Sequence, residues 1–247
     1  MATWTIKFYP FNLLELGAVT VTGTPDTGYP VSRLYDRESS LFWKDTVTEA
    51  KNFVVDQGAT PVAVDFLAIP KHNFSGVAMQ WQYSTDNFSS SIVDAVTDWT
   101  QGDNSQIIKT LSTAQSIRYW RVTIASMVNP QCSEIYMSKG FSFNALRDGN
   151  PTGQDQDNVQ WNRTAGDVER STKRGDKRRV RDYTFMLSAA ELADFETVIN
   201  YTDDYSKPFY IKDHRDAYYM ARFLEKPHYD YNHNTHTRVK ISLIEKL

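Results

Sequence analysis

The sequence predicts a mainly β protein of two modules, and three observations predict it. Aromatic residues make up 13% of the 247 residues, as 14 Tyr, 13 Phe and 6 Trp, and they occur alongside frequent Thr and Val. Such side chains fit pleated, half-buried surfaces. Short alternating or β-branched stretches recur, punctuated by Gly, Pro, Asn and Asp. One run, DGNPTGQDQD at 148–157, contains no large apolar residue and reads as a linker. The expected architecture is an N-terminal jelly-roll β-sandwich over 1–147, a linker at 148–157, and a β-barrel or sheet module with one α-helix over 158–247.

In the first module the expected strands are 3–8, 18–22, 52–56, 63–69, 76–83, 119–125 and 134–137. Turn signals separate them, at 23–25, 57–58, 73–76, 86–87, 101–104 and 129–130. This density of short strands argues for a sandwich or jelly roll. In the second module 180–187 (VRDYTFML) reads as a strand. Ser188-Ala-Ala-Glu191 then has the form of a capping box. Leu192, Phe195, Val198 and Ile199 follow at helical spacing, which predicts an amphipathic helix over 189–201. Strands are expected at 207–212, 217–224 and 237–244. Strand, helix and three strands make a small α+β or barrel-with-helix module.

Composition excludes several function classes. Hydrophobic residues are 40% and charged residues 23%, an ordinary globular balance. The net charge is −3, which disfavours a globally basic nucleic-acid binder. The charge divides as 11 basic and 14 acidic residues over 1–150, and 16 of each over 151–247. Cys132 is the sole cysteine, so neither an internal disulfide nor a Cys-rich zinc module can form, and a reducing compartment suits the chain. No apolar run approaches the ~20 residues of a membrane helix, and MATWTIKFYPF lacks the layout of a signal peptide.

Sequence motifs of catalysis are missing. There is no G-x-S-x-G, P-loop, dinucleotide fingerprint or H-E-x-x-H. Cys132 has no histidine near it in sequence, and Asp203-Asp204 sits just past the helix as loop residues. The expectation is a protein without enzymatic activity or cofactor. His228, His233 and His236, with Asp230 among them, could ligate zinc. The spacing H-x4-H-x2-H matches no helix face and the surrounding Tyr and Asn mark a polar turn, so no metal is expected. A zinc-dependent hydrolase is the third of three readings.

The ordered residues of the first module carry a resemblance. Leu34-Tyr35-Asp36 precedes Phe42-Trp43; the apolar run 62–69 contains Asp65; Tyr83-Ser84-Thr85-Asp86 precedes Trp99; and Arg118-Tyr-Trp-Arg-Val-Thr-Ile124 precedes Glu134-Ile-Tyr136. Over about 15–140 this order resembles the discoidin-like, or galactose-binding-like, family. The resemblance implies an eight-stranded antiparallel jelly roll that binds sugars, lipid head groups or proteins through loops at one end. Sugar binding needs exposed aromatics for stacking and polar partners for hydroxyls. The candidate ligand residues are Tyr35, Arg37, Phe42, His72, Asn73 and Phe74. Trp43, Trp81, Trp99 and Trp120 are expected in the core.

The second module opens with a basic run over 163–181. Arg163, Arg170, Lys173, Arg174, Lys177, Arg178, Arg179 and Arg181 are opposed by Asp167, Glu169 and Asp176, leaving +5. No aromatic lies between Trp161 and Tyr183 to stack on bases. The run reads as an oligomerisation arm on a long hairpin or loop, where charge sets partner choice. The succession of basic stretch, strand, capped helix and Lys-Pro-Phe-Tyr-Ile (207–211) is similar to the tail-tube-like modules of bacteriophage tails, including distal tail proteins. That likeness implies a virion structural protein of the tail tip or baseplate, assembled in the host cytoplasm. Its partners would be further copies of itself in a three- or six-fold ring, with tube and hub proteins, and nucleic acid only as passing genome. Strands 180–187 and 237–244 are expected to offer edges for sheet extension between copies. The alternative is a carbohydrate-binding protein, a lectin or host adhesin. No membrane partner is expected.

Overall fold

The computed structural model describes residues 3–146, 155–156, 159–163, 169–173, 177–231 and 235–246, with 159–163 and 169–173 described by their backbone. The chain runs β1 (Thr3–Tyr9), a helical turn α1 (Leu13–Leu16), β2 (Ala18–Val21), a 3-10 turn (Val31–Leu34), β3 (Trp43–Lys44), β4 (Lys51–Asp56) and β5 (Val64–Ile69). There follow β6 (Ala78–Ser84), β7 (Val93–Asp94), β8 (Trp99–Thr100), β9 (Ile107–Gln115), β10 (Tyr119–Ile124), β11 (Gln131–Cys132) and β12 (Tyr136–Ser138). The last part holds β13 (Phe141–Leu146), β14 (Val159–Arg163), β15 (Glu169–Lys173), β16 (Val180–Leu187), α2 (Ala189–Tyr201), β17 (Phe209–Lys212), β18 (Tyr218–Phe223), β19 (His228–Asp230) and β20 (Thr237–Glu245). The protein is mainly β. Among the described residues no helix is long and apolar enough to cross a membrane.

Two compact units result: Tyr9–Gly140, and Met1–Phe8 with Phe141–Leu247. In the second of these the strands lie in the order β16-β13-β1-β17-β18-β20, and β16 also pairs β20. The path therefore closes into a six-stranded barrel, with β19 added on β20. Alternation puts Phe185 and Leu187 of β16, Phe143 of β13, Ile6 and Phe8 of β1, and Ile241 of β20 in one core. Helix α2 adds Phe195, Val198 and Ile199 to that core; the Phe195 ring lies 5.5 Å from Phe143 and 6.3 Å from Phe8. The helix starts where the sequence places it. The Ser188 side chain accepts from the Glu191 amide at 3.4 Å, and the Glu191 carboxylate accepts from the Ser188 amide at 2.8 Å.

Two expectations about this unit are corrected. The boundary does not lie at 148–157. Residues 3–8 and 141–146, expected in the first module, pair with one another and belong to the barrel, so the sandwich is inserted between β1 and β13. Neither true crossing carries a linker-like run: Phe8-Tyr9-Pro10-Phe11 is continuously apolar, and Ser138-Lys139-Gly140 is a polar interruption of three residues, much shorter than 148–157. Secondly, Val180–Leu187 and Thr237–Glu245 are not free edges. They pair with each other over eight positions, from Val180↔Ile244 to Leu187↔Thr237, and each has a further neighbour in β13 or in β18 and β19. Both strands therefore spend ladder positions within the chain, β16 on β20 throughout and on β13 at Ala145↔Phe185.

The basic run divides. Arg163, Arg170 and Lys173 lie on the hairpin β14–β15, paired from Val159↔Lys173 to Arg163↔Glu169, while Arg174 falls outside the described residues. Lys177 is exposed, and Arg178 bridges Gln156 through the backbone. Arg179 sits 4.8 Å over the Tyr219 ring. Arg181 is buried and donates to Asp155 at 3.0 Å. Its last members are thus parts of the barrel wall.

The unit Tyr9–Gly140 is a sandwich of antiparallel strands. One sheet has the order β2-β4-β10-β6-β7 with β8 also on β6; the other is β12-β5-β9; β3 and β11 form a short ladder. Trp81 and Trp120, 5.3 Å apart, are fully buried between the sheets with Phe53, Val55 and Phe66. Strand β5 is buried at all six positions, as a strand covered on both faces should be.

Candidate functional site

Register decides which loops share an end. Gly140 donates its amide to Asp65 at 2.8 Å, at the end of β5 where Val64 pairs Gln115. The opposite end of β5, where Ile69 pairs Ile107, carries the loops 22–50, 70–77, 101–106 and 125–135. Long loops held on a rigid scaffold are where binding residues concentrate.

A buried ionic frame ties the longest of these loops down. The Lys51 ammonium, fully buried at the start of β4, donates to Asp45 at 2.7 Å and to Glu49 at 2.8 Å. Burial disfavours that charge, but the hydrogen bonds to the two carboxylates outweigh it and raise its pKa. Gly23 passes beside the trio with φ 92°. A Cβ there would come within 2.6 Å of the Lys51 ammonium and of Asp45, so only glycine fits. A second frame holds 30–40. Arg37, left-handed at φ 57° and buried, pairs with Glu15 and donates to the Pro10 carbonyl at 3.3 Å. Behind it Glu134 is fully buried, one oxygen accepting from Asn12 at 3.2 Å. Burial, above all, pushes the Glu134 carboxyl up to about 8, against the opposing Arg37 charge and the Asn12 hydrogen bond.

The three short segments 43–44, 131–132 and 72–73 lie side by side. Trp43 pairs Cys132, and Cys132 bridges His72. These three point inward and are buried. His72 is held neutral: one ring nitrogen accepts from the Phe74 amide at 3.1 Å, the other lies 2.6 Å from the Ser105 carbonyl, and burial lowers its pKa. The alternate residues, Lys44, Gln131 and Asn73, face outward. Asn73 acts as a brace, donating to the Asn129 carbonyl and accepting from the Gln131 amide, both at 2.9 Å. Beside Lys44 the half-exposed Tyr29 ring carries two cations. The Lys44 ammonium lies 4.4 Å and the Arg33 guanidinium 5.4 Å from its centre. Arg33 also donates to the Phe42 carbonyl at 3.4 Å, which places half-exposed Phe42 next to the pair.

The candidate residues from sequence therefore separate. Tyr35, Phe42 and Asn73 are half-exposed at the loop end. Arg37, His72 and Phe74 are buried and cannot stack on or bond a sugar; they are the supports of the loops. Their polar side chains are spent internally, and the Phe74 ring packs at 5.1 Å against His72. Tyr29, Arg33, Lys44 and Gln131, which lie at the same loop end, are not among the candidates from sequence. The available signal was the stretch from 22 to 42, too long and too poor in alternation to be a plain connection. His228 lies on β19 and His236 is met by Thr235, while His233 falls outside the described residues; no metal-binding group is found among the described residues.

No family model matches the sequence, and no curated protein matches it. Among solved structures the chain is similar to chitosan-binding module 1 of a chitosanase/glucanase from Paenibacillus sp. IK-5, at 18% identity and TM-score 0.43, over 52% of this chain and 98% of that one. It is similar to the module CpGH89CBM32-6 of Clostridium perfringens, at 19% identity and TM-score 0.44, over 52% and 98%. A GH29 fucosidase of Ruminococcus gnavus aligns at 15% identity and TM-score 0.44, over 53% of this chain and 27% of that one.

The Glu134 environment sets a pH dependence. Below its ordinary value of 4.5 the carboxyl is protonated folded and unfolded. Between there and about 8 the unfolded chain releases the proton and the folded chain keeps it, so stability falls as pH rises, by up to ~1.4 kcal/mol per pH unit. Glu134→Gln keeps the shape and the acceptor for Asn12. Denaturant unfolding at about pH 5 and about pH 8 is expected to show a smaller loss for the variant than for the wild type; equal losses mean that Glu134 does not titrate in this range.

Proposed function

We propose that the unit Tyr9–Gly140 is a non-catalytic glycan-binding module and that its contact surface is the loop end formed by Tyr29, Arg33, Phe42, Lys44 and Gln131. One observation carries the reading: Lys44 and Gln131 face outward side by side on a braced ladder, directly beside half-exposed aromatic rings. A sugar needs this combination. Its hydroxyls take amide and cationic partners, and its C–H faces lie on rings. The surface is built for binding without chemistry. Cys132 is fully buried, with its thiol pKa pushed up by burial, and Glu134 is sealed beneath the loops.

A single lost hydrogen bond or ring contact is worth about 1–1.5 kcal/mol, roughly a tenfold change in affinity. Gln131→Ala and Phe42→Ala are each expected to weaken glycan binding by the full chain about tenfold, with melting temperatures near the wild type. Array screening followed by calorimetry on the strongest hit reads this. Binding that survives both substitutions unchanged places the site elsewhere.

A role in a virion tail, with copies of the chain and tube and hub proteins as partners, is a second proposal. Its support is the element order of strand 180–187, capped helix 189–201 and Phe209–Lys212, present as the tail-module resemblance implies. With the barrel closed, assembly would depend on the basic segment 163–181 rather than on sheet extension. Light scattering on the full chain tests it: a three- or six-fold particle is the expected result, and a monomer at high concentration contradicts it.

A further inference from the structure

We infer that the loop-end surface selects acidic glycans, binding a sugar carboxylate between Arg33 and Lys44; this rests on the glycan-binding reading and names its substrate class. Three structural cations of the same unit are neutralised by acids. Arg37 meets Glu15, Lys51 meets Asp45 and Glu49, and Arg118 meets Asp56. Lys109, over the Trp99 ring, and Arg121, over the Phe88 ring and bonded to Gln82, make no ion pair among the described residues. Arg33 and Lys44 differ in that both meet one ring. Among the described residues neither makes an ion pair, and their shared contact is the ring of Tyr29. Asp26 lies in the same turn, with its amide bonded to the Lys44 carbonyl at 2.9 Å, yet its carboxylate pairs with neither cation.

The geometry favours an anion over a neutral sugar. With two cations leaning on it, the Tyr29 ring serves as their brace, and half-exposed Phe42 offers stacking surface for a pyranose. A cation over an aromatic face is attracted by the ring quadrupole and loses orientational freedom before any ligand arrives. Two cations drawn to one ring, with no ion pair among the described residues, raise the local positive potential, which a carboxylate neutralises. Arg33 spends one of its five N–H donors on the Phe42 carbonyl and keeps the others in the planar fork that fits a carboxylate. Gln131, next to Lys44, supplies a neutral amide for the neighbouring hydroxyl. The uronic acids present this pattern: a carboxylate on a ring carbon, flanked by hydroxyls and an apolar ring face.

The test uses the full chain, a panel of galacturonate, mannuronate and glucuronate trisaccharides, and the methyl ester of each. Esterification removes the charge and leaves the ring and hydroxyls. At least one acid is expected to bind ten or more times tighter than its ester, with an advantage that shrinks as salt is raised. Arg33→Gln and Lys44→Gln are each expected to lower acid affinity five- to tenfold and to narrow the ratio of acid to ester affinity. Equal binding of acid and ester, or binding of neutral glycans alone on the array, overturns the inference and leaves the glycan reading standing. No binding to any glycan overturns both.

Discussion

The candidate site depends on a buried ammonium. Lys51 lies at the start of a sheet strand with no exposure, and its two acceptors, Asp45 and Glu49, belong to the loop that carries the outward-facing residues. Taking the Lys51 and Asp45 charges out of water is costly, and their hydrogen bond, with that from Lys51 to the partly exposed Glu49, offsets the cost only while the groups stay together. Losing one partner of such a pair typically costs about 3–5 kcal/mol. The interaction is therefore weak as a source of net stability and strong as a constraint on where the loop goes. It fixes Asp45, and Asp45 adjoins Lys44. Gly23 then passes where no side chain could, so the other end of the loop is fixed as well.

From that constraint the surface follows by alternation. With Trp43 inward beside Cys132, Lys44 must face outward beside Gln131. Asn73 spends its amide on the backbone at Asn129 and Gln131, so the row is rigid before a ligand arrives. Preorganisation matters here because an ordering cost of about 0.5–1.5 kcal/mol per long side chain would otherwise be charged to binding. The ring of Tyr29 performs the same service for Arg33 and Lys44. The barrel unit rests on a different constraint, closure. Its two longest strands pair with each other, and β1 and β13, from either side of the inserted sandwich, complete the wall.

Local signals in the sequence were read well where local physics decides the outcome. Ser188 and Glu191 announce the helix start, and the spacing of Phe195, Val198 and Ile199 gives its buried face. The strand of Arg118-Tyr-Trp-Arg-Val-Thr-Ile124 is equally plain, since Trp120, Val122 and Ile124 alternate inward. Long-range pairing was not legible. Nothing in VRDYTFML says whether its ladder partner is Thr237–Glu245 of the same chain or another copy. The insertion was hidden because neither crossing, at Phe8-Tyr9 or at Gly140-Phe141, has a polar run as long as that at 148–157. Of the candidate residues, His72 and Phe74 were correctly located in the loop end and wrongly turned outward. A polar or aromatic residue in a turn looks the same in sequence whether it meets solvent or braces its neighbours. Arg33 and Lys44 do not stand out in sequence because their distinction, a shared ring, exists only in three dimensions.

The proposed ligand surface rests on a braced loop end whose two cations, Arg33 and Lys44, make no ion pair among the described residues. Amide and side-chain chemical shifts of the labelled full chain, followed during titration with the tightest-binding uronate trisaccharide, test it most directly. Perturbations confined to 29–44 and 129–131 are expected, with the largest at the Arg33 and Gln131 side chains. Shifts centred on the opposite end of the sandwich or on the barrel contradict the proposal.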